Sequence, residues 1–454
     1  MITYSIIQKS QLEGALRLDA EYYQPEYLEL DEILNKLGFM TLGQISSIIT
    51  DGDHGNPEYS EKEGIPYIKS ENMTEFTIEL VDSKMISNEY SKKVRRACFS
   101  EEGDILLTTV GRIGTSTVNY VSNKIILSRD IARIHLKNDT EFLPEFITIF
   151  LNSRIGQLLT KRESVGTVQQ GLYLNIIKNL KIPKSKKAFQ KEIRNLFLES
   201  LKEYLQSKSL YFQADNLLLE KLGLKDFGIE DDLSYIVNLS DIKSSHRADA
   251  EYFQPKYDKL ISKIKKQNSK LLEKVIENVP AKFNPSAQPE KVFQYVELAN
   301  INSSIGVIDG FSEVLGKEAP SRAKRVLKIG DVIVSSVEGS LEKVALVDKE
   351  QENYLASTGF FQLRGKEILP EVLLVLTKSL VFQTQLEKQC AGTILTAVPK
   401  EAIKNIFVPI LPKSTQQKIA DLVQKSHQAR LRAKELLEEA KRKVEELIEP
   451  RSTG

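Results

Sequence analysis

The chain has 454 residues, 41% hydrophobic and 28% charged, which is long enough for two or three domains with their own cores and excludes a disordered or fibrous protein. Lys and Arg number 63 against 62 Asp and Glu, so the net charge of +1 excludes a polycationic coat and confines any nucleic-acid surface to a local patch. Two cysteines, Cys98 and Cys390, supply no disulfide framework and have no Cys or His at metal-ligand spacing, so a reducing cytoplasm is the expected compartment.

The opening stretch MITYSIIQKSQLEG lacks a basic region ahead of an apolar core, and no signal peptide is expected. The longest apolar stretch, 371–382, is interrupted by Thr377, Lys378 and Ser379, so no membrane span is expected either. RLDAEYYQPEY follows at 17–27 and returns as RADAEYFQPKY at 247–257, with eight of eleven positions identical. Asp19 and Asp249 are expected to fix turns, Pro25 and Pro255 to start helices, and Tyr22 and Tyr252 to pack inward. This is a structural entry segment, not a site.

DGDHGNPEY at 51–59 is the nearest approach to a catalytic or metal constellation, through Asp51, Asp53 and His54. Its counterpart AKFNPSAQPE keeps Asn284-Pro285 but has no histidine and no paired aspartates, so a polar loop turned by Gly52 and Gly55 is the favoured reading. No GxxxxGK[ST], GxGxxG or GxSxG pattern occurs, and the four histidines are scattered, with His427 expected on an exposed charged helix.

Further pairs recur at offsets of 226 to 230. GDILLTTVG at 103–111 answers GDVIVSSVEG at 330–339, Leu143-Pro144-Glu145 answers Leu369-Pro370-Glu371, Gly166-Thr167 answers Gly392-Thr393, and IKNLKIP at 177–183 answers IKNIFVP at 403–409. Each half is therefore a copy of a unit of about 185 residues plus a tail, far larger than a solenoid repeat. Short β-type runs at 105–110, 125–127, 131–136, 332–337, 343–347 and 360–363 alternate with turns and helices, which predicts mixed domains of the α+β class.

The tails lack internal proline and glycine and are rich in helix formers. Ile193, Phe197, Ser200, Tyr204, Ser207, Tyr211, Ala214 and Leu218 alternate spacings of four and three, as do Ile419, Leu422, Ser426, Ala429, Ala433, Leu436 and Ala440, with Val444 and Leu447 continuing the stripe. Small residues in both seams favour close pairing of the two helices as an antiparallel coiled coil over packing of each against its own domain. Gly223 and Pro450 are the expected terminators. The predicted organisation is a first domain at 1–185, a helix at 186–223, a linker and second domain at 224–412, and a second helix and tail at 413–454.

Three loop sets carry residue types suited to reading bases, since Asn and Gln match an adenine edge and Arg a guanine edge. The first holds His54, Asn56, Lys69 and Asn72, against Lys282, Asn284 and Asn300; the second holds Thr109 and Arg112, against Ser336 and Ser340. The third holds Thr167, Gln169 and Gln170, against Thr393 and Thr396, and Arg129 in SRDIAR joins the first unit's set.

Taken in order, DGDHGNPEY, GIPYIKSENM, GDILLTTVGRIG, SRDIARI, VGTVQQGLYLNIIKNLKIP and the doubled helical tails resemble the specificity subunit of type I restriction-modification systems, over essentially the whole chain. The second unit departs from that pattern in its first loop. The resemblance implies two target-recognition domains, each reading one half of a bipartite site in double-stranded DNA. It implies helices that fix the gap and dock two methyltransferase subunits, with Ile193, Phe197, Tyr204, Tyr211, Leu218, Ile419, Leu422, Ala429 and Leu436 at a subunit or helix interface. It also implies no catalysis and no metal in this chain, S-adenosylmethionine on the partner, and a restriction subunit as a further partner in some assemblies. A two-module coiled-coil adaptor for other proteins, or a related phage-defence methylation subunit, is the competing expectation.

Overall fold

The computed structural model describes residues 4–10, 12, 17–60, 63–81, 83–166, 170–228, 231–391 and 396–449. The chain divides into two compact units: 1–204 with 431–454, and 205–430. Each unit holds one half of each long helix. Among the described residues, no helix is long and apolar enough to cross a membrane.

In unit 1, helix α1 (Pro25–Leu37) starts on Pro25, whose fixed φ suits the first helical position and whose missing N–H costs nothing there. Strands β1 (Ser46–Asp51), β2 (Ile65–Ile68), β3 (Ile105–Thr108), β4 (Ser116–Val118), β5 (Ile125–Leu127) and β6 (Ile131–Leu136) follow, then α2 (Pro144–Asn152) and the long α3 (Lys187–Lys221). One sheet has the antiparallel order β1-β6-β3-β4; a second, five-stranded sheet is built around the parallel pair β2 and β5.

Unit 2 repeats the plan with α4 (Pro255–Lys265), β7 (Ile276–Asn278), β8 (Val292–Val296), β9 (Val332–Ser335), β10 (Val344–Leu346), β11 (Leu355–Ser357), β12 (Phe360–Gly365), α5 (Pro370–Lys378) and the long α6 (Lys413–Ile448). Its sheet order β7-β12-β9-β10 matches the first sheet of unit 1, and β8 and β11 form the corresponding parallel pair. The architecture is α+β, as the sequence predicts. The apolar run at 371–382 resolves into α5 and a second short helix, Leu380–Lys388.

Two local causes explain the recurring phrases. Gly103 and Gly330 adopt φ of +87° and +82°, a region that penalises a Cβ, and the aspartate after each folds back onto the turn, Asp104 accepting Glu101 N–H at 2.6 Å and Asp331 accepting Lys328 N–H at 3.0 Å. In the entry segments Arg17 pairs with Asp19 at 2.6 Å and Arg247 with Asp249 at 2.5 Å. Tyr22 is half-buried with the Arg17 and Arg162 guanidinium groups over its ring, and the neighbouring Tyr23 is the fully inward side chain.

The helix seams close each core. In unit 1, Ile193, Phe197 and Tyr204 of α3 are buried with Ala433, Leu437, Ala440 and Val444 of α6 beneath the sheet and α2. Ser200 Oγ donates to the Ala433 carbonyl at 2.8 Å, and Lys443 meets Glu192 at 2.8 Å, so the chains run antiparallel here. In unit 2, Tyr211, Ala214 and Leu218 join Ile419 and Val423 in one cluster, and Ser426 Oγ donates to the Ser207 carbonyl at 2.7 Å. Ala429 and Leu436 are buried.

Three expectations about the helices are corrected or bounded. Leu422 is only partly buried, while Val423 beside it is fully buried, because α6 packs on the globular core as well as on α3 and buries a wider stripe than a strict seam. His427 is half-buried, with Nε2 3.1 Å from the Ile305 carbonyl, not on an exposed face. Helix α3 stops at Lys221, just before Gly223 at φ +59°, whereas Pro450 lies outside the described residues.

Candidate nucleic-acid interface

In unit 1 the ends of β1, β2, β3 and β5 converge on the turn Ser128-Arg129-Asp130. Ser128 N–H donates to the Ile68 carbonyl at 2.9 Å, and Asp53 N–H to the Leu127 carbonyl at 2.8 Å. Asp130 is the knot: its carboxylate accepts Ser70 N–H at 2.8 Å and the Ser128 hydroxyl, while its carbonyl accepts Thr109 N–H at 2.8 Å. Thr109 in turn accepts Leu172 N–H at 2.9 Å, next to Gly171, which bridges to Val165 and to Val110. The described parts of the three loop sets are thus tied together through Asp130 and Thr109.

The placement of the individual residues is uneven. Arg112, Arg129, Asn56 and Gln170 are exposed, and Lys69 is partly exposed. Gln170 lies 3.5 Å from the Ser164 hydroxyl. Asn72 is buried and its Oδ1 accepts Lys69 N–H at 3.0 Å, so it holds the turn after β2. Thr109 is buried and contributes backbone to the knot. Thr167 and Gln169 lie outside the described residues.

The DGDH loop is spent on itself. Asp51 pairs with His54 Nε2 at 2.5 Å and with Arg95 at 3.3 Å, and Asp53 accepts the Tyr90 hydroxyl at 2.7 Å. Burial opposes ionisation of Asp51, but His54 and Arg95 outweigh it and hold its carboxyl below the usual range. A Cβ on Gly52 would meet the Leu127 and Ser128 carbonyl oxygens at 2.3 Å, so only glycine lets this loop pass so close to β5. Among the described residues no group of His, Cys, Asp or Glu is arranged to hold a metal.

Unit 2 builds the same knot without the aspartate. Ser336 donates both N–H and hydroxyl to the Gly359 carbonyl, each at 2.9 Å, and accepts Val398 N–H at 2.8 Å. Glu338 N–H donates to Thr396 at 3.0 Å, and the Val337 and Ala397 bridge seats the 396–399 loop. Asn300 Oδ1 accepts Glu297 N–H at 2.9 Å, repeating the Asn72 turn. Ser340 is half-buried with its hydroxyl 3.2 Å from that of Ser335, whereas Lys282 and Asn284 are exposed. Thr396 is partly exposed, and Thr393 lies outside the described residues.

Sequence reasoning did not find the ties that hold these loops: Asp130 to Ser70, Tyr90 to Asp53, and Arg95 to Asp51. Each partner pair is 37 to 60 residues apart. Their only sequence signal is a polar residue at the end of an apolar run.

Residues 36–206 match the family model described as type I restriction modification DNA specificity domain. The chain is 25% identical over 151 residues to the type I restriction enzyme HindI specificity subunit of Haemophilus influenzae, a match that spans 32% of each chain. Among solved structures it is similar to the type I restriction-modification S subunit from M. genitalium, with 16% identity, TM-score 0.43, and coverage of 90% of this chain and 94% of that one. It is also similar to the HsdS subunit from Thermoanaerobacter tengcongensis, with 15% identity, TM-score 0.29, and coverage of 91% and 95%.

Proposed function

We propose that this chain is the DNA sequence-recognition subunit of a type I restriction-modification complex. Each unit reads one half of a bipartite target, and the paired helices set the gap and dock methyltransferase subunits. Methyl transfer and the S-adenosylmethionine site belong to those partners, and cleavage to a restriction subunit where one joins. The observation that carries the reading is a frame kept twice, with the same strand order in both units, under loops at corresponding strand ends whose side chains differ. A retained frame with divergent loops is what two different half-sites require.

The helices also offer a docking face. Leu205 and Phe212 stand seven residues apart on α3, hence on one side of it, and are 51% and 66% exposed. The test is to co-express the chain with a methyltransferase subunit from the same operon and map methylated bases across the host genome. A new bipartite motif with a fixed gap, lost when either unit's loops are replaced, is the expected result. A stable complex with bound cofactor but no new methylation would overturn the reading. Inserting one heptad into the 193–218 seam should change the gap and leave both half-site sequences intact.

A further inference from the structure

Three cations stand beside the knot of unit 1. Lys69 precedes Ser70, Arg129 precedes Asp130, and Arg112 follows Gly111, whose Cβ position lies 3.8 Å from the Ser70 hydroxyl. Among the described residues none of the three forms an ion pair, although carboxylates on this unit are otherwise drawn into pairs such as Asp51 with Arg95. Unneutralised like charges gathered on loops pinned by one internal carboxylate form a pre-organised site for hydrogen-bond acceptors.

Register fixes the corresponding positions in unit 2. Tyr67 and Tyr295 occupy the same place in the two parallel pairs, opposite Ile126 and Leu355, and Asn72 and Asn300 close the same turn. Glu297 therefore stands where Lys69 does. Thr358 follows Ser357 as Arg129 follows Ser128, and Ser340 follows Gly339 at φ +76° as Arg112 follows Gly111 at φ +77°. Every cation of the first site is lost in the second, and one is reversed. Glu297 is exposed and forms no ion pair among the described residues.

Resting on the DNA-recognition reading above, we propose that the two units read base edges of opposite chemistry. Unit 1 takes acceptor-rich edges, guanine first, through Arg129 and Arg112, with Lys69 on a flanking acceptor. Unit 2 offers the Glu297 carboxylate to exocyclic amino groups, those of cytosine or adenine.

The test uses the full chain with its methyltransferase subunit, reading the methylated motif and the salt dependence of binding to a labelled random-sequence duplex. If the wild-type complex methylates no bipartite motif, the DNA-recognition reading itself fails. Given a wild-type motif, R129A is expected to relax one guanine position in one half-site and weaken discrimination there about tenfold, leaving the other half intact. E297A is expected to relax a cytosine or adenine position in the opposite half. Uniform weakening on all sequences, with the salt slope reduced by about one, would assign Arg129 to a phosphate and overturn the base-edge proposal. An unchanged motif and slope would overturn it as well. T358R, which adds a cation at a partly exposed position of unit 2, should alter readout in that half only, and no change there would count against the proposal even if R129A failed to fold.

Discussion

Asp104 in unit 1 and Asp331 in unit 2 follow the same glycine turn, and both are fully buried, yet different residues answer them. Asp104 is met by Arg133 Nε at 2.6 Å and His135 Nδ1 at 2.7 Å; Asp331 is met by Gln362 Nε2 at 2.7 Å and by Arg364 at 2.8 and 3.0 Å. The partners occupy corresponding places on β6 and β12, two residues apart and so on one face of the strand. The guanidinium has moved one step along that face, and the vacated place holds a neutral donor. Inside the frame, one change has been matched by another. On the rim no such matching occurs among the described residues, because Lys69 gives way to Glu297, which forms no ion pair there. Charges that must balance within the fold covary, whereas charges that face outward change freely and carry the difference between the units.

The largest expected effect breaks that balance. D104A leaves the Arg133 guanidinium, 3% exposed, without its principal carboxylate and should cost unit 1 about 3–5 kcal/mol. D331A should cost unit 2 less, about 1–3 kcal/mol, because Gln362 is neutral and the Arg364 side chain is 40% exposed and can turn to water. Urea unfolding, with hydrogen exchange assigning each transition to its unit, measures both. Equal losses would mean that the two networks are interchangeable.

A smaller, symmetric effect is expected at the helix seams. S200A removes a hydrogen bond to the Ala433 carbonyl in unit 1, and S426A removes one to the Ser207 carbonyl in unit 2; each should cost about 1 kcal/mol. Unequal losses in the same unfolding assay would show that one half of the pairing is better packed than the other. Smaller still is H54A. Its pair with Asp51 has no counterpart in unit 2 and is more than half exposed on the histidine side, so a loss under ~1 kcal/mol is expected, confined to unit 1.

The duplication, the α+β class and the seams were legible because they rest on local rules. A Gly-Asp turn needs positive φ, Pro25 and Pro255 fit first helical turns, and small residues at alternating four and three spacings mark close helix pairing. The seam slipped by one residue at Leu422, where a helix serves two neighbours at once and a single period no longer describes its buried stripe. Asn72 and Asn300 were readable as polar loop residues but not as caps, since their role is set by a backbone N–H three residues back. The charge reversal from Lys69 to Glu297 was in the sequence throughout. It became visible only when strand register aligned two segments that share few residues.

At neutral pH the smallest difference between the units should be nil, and it should appear only on acidification. His427 is held neutral in unit 2: burial pushes its imidazole below the ordinary value of 6.5, against the pull of the Ile305 carbonyl and of Asp348 and Glu371. Its counterpart on α3 in unit 1 is Leu201, which does not titrate. A histidine whose folded value is depressed binds fewer protons in the fold than in the unfolded chain as pH drops through the unfolded value. The contribution to stability is therefore intact above about 6.5 and is lost progressively below it. Unit 2 should soften relative to unit 1 between neutrality and mild acid, and H427L should remove that slope, at a pH-independent cost of about 1 kcal/mol for the lost hydrogen bond to the Ile305 carbonyl. Hydrogen exchange along α6 at several pH values reads this directly. If the slope persisted in H427L, the carboxylates around the helix, not the imidazole, would be its source.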